Sequence, residues 1–159
     1  MTPTAMTCLC RAYGVYKWRD HRFETQRAGY NCGPVAIANG LRYQSRPVGP
    51  AVHRQIVAHC KPRAVHPDGF RGTQVANMDA ALRRYWPGAI RVSGRAACSV
   101  ALKSMVGCIL LFRRNRHTLH YVFVHYDGVY HLENEERGSL ATTKMTRYLR
   151  EPTVWVLYR

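Results

Sequence analysis

The sequence predicts an α+β domain, and three observations predict it. Segments in the first two thirds repeat their apolar residues at the helical period. The last third changes to alternating or continuous apolar runs of strand length, two of them joined by Asp127-Gly128, a strong hairpin signal. No linker, repeat or low-complexity tract separates the two parts, so helices first and an antiparallel sheet second read as one domain over the 159 residues. It divides into a leading arm (1–24), a mainly helical part (25–105) and a part made mainly of antiparallel strands (106–159).

The arm has no strong period, but AYGVYKW and HRF hold enough aromatics to pack on the body as an arm or an edge strand. In QRAGYNCGPVAIANGLRY, from Gln26 to Tyr43, a helix starts near Cys32 and carries Val35, Ala38 and Leu41 on one stripe. Asn31 is placed to cap it, and Pro34 costs little in a first turn whose amides lack intrahelical partners. Gln44 to Gly49 is a loop. Pro50 to Cys60 follows as an amphipathic helix with Val52, Ile56, Val57 and Cys60 on one face. Lys61 to Gly72, with Pro62, Pro67, Gly69 and Gly72, is a long loop. Thr73 caps a third helix through Val75, Met78, Leu82 and Tyr85 or Trp86, which Pro87 and Gly88 end. Ala89 to Ser93 is expected as a strand and Ser99 to Met105 as a short helix. Cys108 to Phe112 is a continuous apolar strand, and Arg113 to Arg116 (RRNR) a polar turn. His120 to Tyr126 and Val129 to Glu133 form the hairpin. Thr153 to Tyr158 closes the chain with Val154, Val156 and Tyr158 opposite Trp155 and Leu157.

The composition, 47% hydrophobic and 21% charged, is that of an ordinary globular protein. The longest apolar run, Val106 to Phe112, is too short to span a membrane. MTPTAMTCLCRAYGV has no basic start followed by an apolar core, so no secretory signal is read. Six scattered cysteines, with Cys8 and Cys10 too close for zinc-ligand spacing, read as free thiols in a reducing cytoplasm. Neither a metal nor a cofactor is expected. The outlier is charge: 24 Lys and Arg against 9 Asp and Glu give a formal +15. Such a surface attracts nucleic acid or an acidic protein, and Arg113, Arg114 and Arg116 are its densest cluster. A solubilising surface in a basic-biased proteome is the plainer account of it.

Cys32 stands out because a helix start gathers free amide donors and the positive end of the helix dipole, which favour a thiolate. It is expected to be the most reactive cysteine and to titrate below an ordinary thiol. Gly33 clears space where a substrate backbone would approach. Gln26, six residues upstream, can turn an amide N–H toward the same spot and form an oxyanion hole with the Cys32 backbone N–H. The bland alternative is a structural cysteine opening a core helix.

A thiol nucleophile needs a base, and the base an orienting partner. HYVFVHYDGVYHLENEE offers both. His120 is the candidate base, with His117, His125 and His131 as rivals. A two-residue turn places Glu135 across from His120, and a three-residue turn, Tyr126-Asp127-Gly128, places Asn134 there. Asn134 is preferred because an amide orients an imidazole without competing for its proton; Glu133 stays open as well.

The order of these parts, Q-x5-C-G-P opening a helix, then Gly72-Thr73, the Val106–Phe112 strand and HYVFVHYDGVYHLEN, resembles the papain-like cysteine peptidases. The closest branch is that of the double-glycine leader peptidases and their stand-alone relatives. The resemblance spans Gln26 to about Gly138. It implies an N-terminal helix bearing the nucleophile, packed against a C-terminal antiparallel sheet bearing the base. It also implies Gln26 as the oxyanion-hole glutamine, Cys32 as nucleophile, His120 as base and Asn134 as third member. That branch usually shows Asp-Pro near the last position, where this chain reads LENEERG. The expected function is therefore a cysteine peptidase or isopeptidase acting through a thioester on a peptide or protein substrate, with acyl transfer as a variant. The alternative is a catalytically idle papain-like protein whose basic surface binds nucleic acid or an acidic partner. A small arginine-rich chain of this kind would suit a phage or other viral protein.

Overall fold

The computed structural model describes residues 6–10, 15–18, 23–27, 29–66, 71–135 and 138–159, the first two ranges as backbone strands. In chain order it forms β1 (Met6–Cys10), β2 (Val15–Trp18), α1 (Cys32–Tyr43), α2 (Pro50–Cys60), α3 (Val75–Tyr85), β3 (Ile90–Ser93), α4 (Arg95–Ala101), β4 (Cys108–Asn115), β5 (Thr118–Tyr126), β6 (Tyr130–Glu133), β7 (Ser139–Thr142), a 3-10 turn (Thr146–Tyr148) and β8 (Thr153–Val156). The strands make one sheet in the order β1-β2-β7-β6-β5-β4-β8-β3, and each neighbouring pair is antiparallel.

Both faces of the central strands are covered, which is why Cys108–Phe112 reads as an unbroken apolar run. On one face Ile37 and Leu41 of α1, Ile56 of α2, and Met78 and Leu82 of α3 pack on Ile109, Leu111, Tyr121, Phe123 and Trp155. On the other, Cys98 and Leu102 at α4, with Tyr148, cover Leu110, Phe112, Val122, Val124 and Leu132. From Cys32 to Leu41 every residue of α1 is buried, so this helix is more than a stripe on a surface. Two glycines let it sit so deep. A Cβ on Gly40 would lie 2.8 Å from Leu157 Cδ1, and one on Gly33 would lie 2.5 Å from Thr73 Oγ1. Gly33 thus serves the packing of α1 on the Thr73 segment; the expectation that it clears a path for substrate gives way to that contact.

Several local expectations shift. Asn31 makes no side-chain cap; its carbonyl accepts the Val35 N–H at 3.2 Å. Thr73 does not cap α3, whose flanking residue is Gln74. Thr73 is wholly buried, and its carbonyl accepts the Tyr121 hydroxyl at 3.0 Å. The short fourth helix starts at Arg95, earlier than Ser99, because Gly94 at φ +90° turns the chain there and Cys98 and Leu102 supply the buried side. Arg113 to Asn115 are strand, and the turn is held by Asn115 Oδ1, which accepts the N–H groups of His117 and Thr118. β7 has no expected counterpart: SLAT is too short to display a period, yet it joins β6 to β2.

The hairpin register differs from both expected ones. Tyr126 pairs with Tyr130 and Phe123 with Glu133, so the loop is Asp127-Gly128-Val129. Gly128 adopts φ +100° at its centre, and Asp127 Oδ1 accepts the Val129 N–H at 3.3 Å. Only glycine takes that central conformation without strain, so the loop centres on it.

Candidate active site

Cys32 is the first residue of α1 and is 5% exposed. Its sulfur lies beside the backbone N–H groups of Tyr121, Gly33 and Cys32 itself, within reach of the Arg114 charge. These favour a thiolate, but burial dominates and pushes the thiol above its ordinary value. The expected depression of the Cys32 pKa is therefore corrected: loss of water outweighs the helix start, and the resting group is a neutral thiol. Burial also pushes Cys60 and Cys108 up, each to about 12, and raises Cys98. These four are free thiols; Cys8 and Cys10 have side chains outside the described residues.

The Tyr121 N–H beside the sulfur is one peptide from His120. His120 sits on β5 opposite Phe112, whose ring meets the imidazole edge-on at 5.8 Å. Its Nε2 lies 3.4 Å from the Asn134 carbonyl oxygen and 3.3 Å from Glu135 Oε2. Two acceptors around Nε2 place the proton there and leave Nδ1 as the basic nitrogen. Burial, aided by the Arg114 charge, pushes His120 down to about 3. The Glu135 carboxylate pulls the other way, but Arg114 binds that carboxylate at 2.8 Å and offsets its charge.

How Glu135 arrives there is a matter of backbone. β6 ends at Glu133, and Asn134 takes φ +72°, a left-handed conformation that asparagine tolerates better than most residues. The Asn134 N–H donates to the Gly138 carbonyl at 2.7 Å. This turn folds Glu135, 6% exposed, back toward His120. Arg114 reaches it from a bulge in β4, where Arg113 pairs with Leu119 and Asn115 with Thr118. A bulge re-aims the extra side chain, and Arg114 donates to both the carbonyl and Oε2 of Glu135 at 2.8 Å.

The Asn134 side chain goes elsewhere. Its Oδ1 accepts the Gln26 backbone N–H at 2.9 Å, and its Nδ2 donates to Gln26 Oε1 at 2.7 Å. The first bond fixes which end of the Asn134 amide is which, because a backbone N–H can only donate. The second then fixes the Gln26 amide with Oε1 toward Asn134 and its N–H₂ on the opposite side. The expectation that the Asn134 side chain holds the His120 ring is corrected: the register carries that amide past the ring, and only the Asn134 carbonyl meets it.

Glu133 is fully buried between His125 Nε2, at 2.7 Å from Oε1, and the Ser139 hydroxyl, which donates to Oε2. It is committed to this second cluster, where the His125 and His131 rings stack at 4.7 Å. His117 is exposed at the β4–β5 turn.

Gln26, Cys32, Arg114, His120, Asn134 and Glu135 line one cleft of about 870 Å³. No hydrogen bond joins the Cys32 and His120 side chains in this structure. The Arg114–Glu135 pair has no signal in the sequence, since nothing in RRNR marks a bulge. Among the described residues no group of three His, Cys, Asp or Glu side chains could hold a metal ion, and no helix is long and apolar enough to cross a membrane.

The His120 environment carries a stability consequence. In the unfolded chain the imidazole takes a proton near 6.5, and in the folded protein only near 3. Between those values the unfolded state binds more protons, so stability falls as pH drops through that window, by on the order of 5 kcal/mol across the whole of it. Urea unfolding at pH 7, 5 and 4 should show this loss in the native protein and a shallower one in His120→Gln. Parallel losses in the two proteins would mean that His120 is not held neutral.

No family model and no curated protein sequence matches the chain. Among solved structures it is similar to the peptidase domain of Streptococcus ComA, a bi-functional ABC transporter involved in a quorum-sensing pathway. The TM-score is 0.62 at 11% identity, covering 88% of this chain and 100% of that one. It is also similar to a double-glycine-motif protease from an AMS/PCAT transporter in complex with the leader peptide, with TM-score 0.57 at 18% identity, covering 95% and 96%. The likeness shows the fold: an α+β, papain-like domain of the kind these peptidases use.

Proposed function

We propose that this chain is a cysteine peptidase in which Cys32 is the nucleophile, His120 the base, and Glu135 the group that orients His120. Gln26, held by Asn134, supplies one oxyanion donor and the Cys32 backbone N–H the other. The observation that carries the reading is the cleft, which collects a helix-start thiol, a histidine whose Nε2 faces two oxygen acceptors, and a glutamine amide turned by its partner. The peptide-bound neighbour supports a polypeptide substrate.

The pair rests as thiol and imidazole, so proton transfer accompanies attack. The Cys32 proton passes to His120 Nδ1 as the sulfur bonds to the carbonyl carbon, and the two donors receive the charge on the oxygen. His120 then protonates the amine as the C–N bond breaks. Water, deprotonated by His120, resolves the thioester and frees Cys32; an amine in place of water would give acyl transfer. Glu135 stabilises the imidazolium formed in between, which a neutral amide would do less well.

The test is digestion of a proteome-derived peptide mixture, followed by mass-spectrometric mapping of new termini. New termini should appear with the native protein and vanish with Cys32→Ala. Their absence in both would favour a papain-like shell that binds without cleaving. Glu135→Gln should lower kcat by roughly ten- to a hundredfold, about 1.4 kcal/mol per factor of ten, and move the pH–rate profile. A Glu135→Gln protein with normal kcat and profile would remove Glu135 from the site.

A further inference from the structure

We infer that the cleft is built for an acidic stretch of polypeptide, with substrate carboxylates docking on Arg27 and Arg71 beside Cys32; this rests on the peptidase reading above. The charges of the cleft divide into paired and unpaired. Arg114 is bound to Glu135, and Arg113 to Glu151 at the rim. Glu135 is itself held between Arg114 and His120. Arg27 and Arg71 line the same cleft, are exposed, and form no ion pair among the described residues. The Arg71 Nε–H donates to the Ala64 carbonyl at 3.1 Å, which steadies the side chain, and its terminal nitrogens take no partner among the described residues.

Among the described residues, two unpaired guanidinium groups beside one ion-paired carboxylate make the cleft lining positive. The electrostatics that remain unanswered inside it therefore call for anions, and a guanidinium matches a carboxylate in a two-point fork. Arg113 and Arg114, from the cluster expected to meet an anionic partner, each hold an ion pair within the chain. Polypeptide is favoured over nucleic acid on two grounds. The reacting thiol calls for an acyl carbon, which an oligonucleotide does not bring. Among the described residues the cleft lining also contains no Phe, Tyr or Trp on which bases would stack.

Three affinity probes of one length test this on the full chain: Ac-Glu-Glu-Ala-Ala-chloromethyl ketone and its Lys-Lys and Gln-Gln counterparts. Cys32 alkylation is followed by intact mass and peptide mapping, with iodoacetamide as the uncharged reference. The Glu probe should label Cys32 about ten- to a hundredfold faster than the Lys probe at low ionic strength. That ratio should shrink steadily with added salt. It should fall to within about threefold in Arg27→Gln/Arg71→Gln and largely persist in Arg27→Lys/Arg71→Lys. Equal rates for the three probes, or a faster Lys probe, would overturn the acidic-substrate inference while leaving Cys32 as a peptidase nucleophile. If iodoacetamide modifies Cys32 but no peptide probe does, the peptidase reading fails and takes this inference with it. If a twenty-residue oligo-dT protects Cys32 as well as a poly-glutamate peptide does at equal charge, the cleft is a nucleic-acid groove and the inference is overturned.

Discussion

Cys32→Ala should abolish turnover, with a loss of at least about 10⁴-fold, because no other described residue lining the cleft carries a thiol to form the thioester. The protein should remain folded, since the change removes one small buried atom and leaves α1 in place, at a cost of about 1 kcal/mol. Cys98→Ala is the matching control. Cys98 is equally buried but lies on the opposite face of the sheet, against Leu110 and Val154, and its loss should leave kcat within about threefold. A Cys98→Ala protein as inactive as Cys32→Ala would point to general destabilisation. The same thiol supplies a second readout. Burial holds Cys32 protonated, so its alkylation by iodoacetamide in the free protein should keep rising with pH beyond the range where an ordinary thiol, with a pKa of about 8.5, is fully ionised. A rate that levels off below neutral pH would show that the helix start and Arg114 outweigh burial after all.

Gln26→Ala and Asn134→Leu should each lower kcat by about 10²- to 10³-fold, the usual cost of one oxyanion donor, and the double variant should be little worse than either. The reason is the chain of bonds already described: Asn134 fixes the Gln26 backbone and side chain together, so removing either member removes the same donor. KM should change little, since the donor acts on charge that develops in the transition state. If Asn134 instead acted on His120, its loss would add to that of Gln26 and would shift the pH–rate profile. Additive effects, or a shifted profile in Asn134→Leu, would return Asn134 to the histidine.

Much of this protein is legible in its sequence because single segments carry their own signals. The apolar spacing of Val35, Ala38 and Leu41 marks α1, and Pro50 to Cys60 marks α2 with the bounds observed. The unbroken Cys108–Phe112 run marks a strand covered on both faces, and Asp127-Gly128 marks the hairpin. Cys32 at a helix start and His120 at a strand are local facts of the same kind. What the sequence could not decide are quantities that depend on where distant segments meet. The hairpin register turns on Gly128 taking the centre of its loop, a difference of one residue that no pattern in a three-residue turn records. The left-handed turn at Asn134 sends its amide to Gln26 and brings Glu135 to His120, 15 residues earlier in the chain. Arg114 reaches the site only because β4 bulges beneath it. The protonation state of Cys32 follows the same rule. The helix start that favours a thiolate is visible in the chain from Asn31 to Pro34, but the burial that opposes it arises only when α1 packs against β5 at Tyr121, and desolvation of a charge outweighs a few oriented amides.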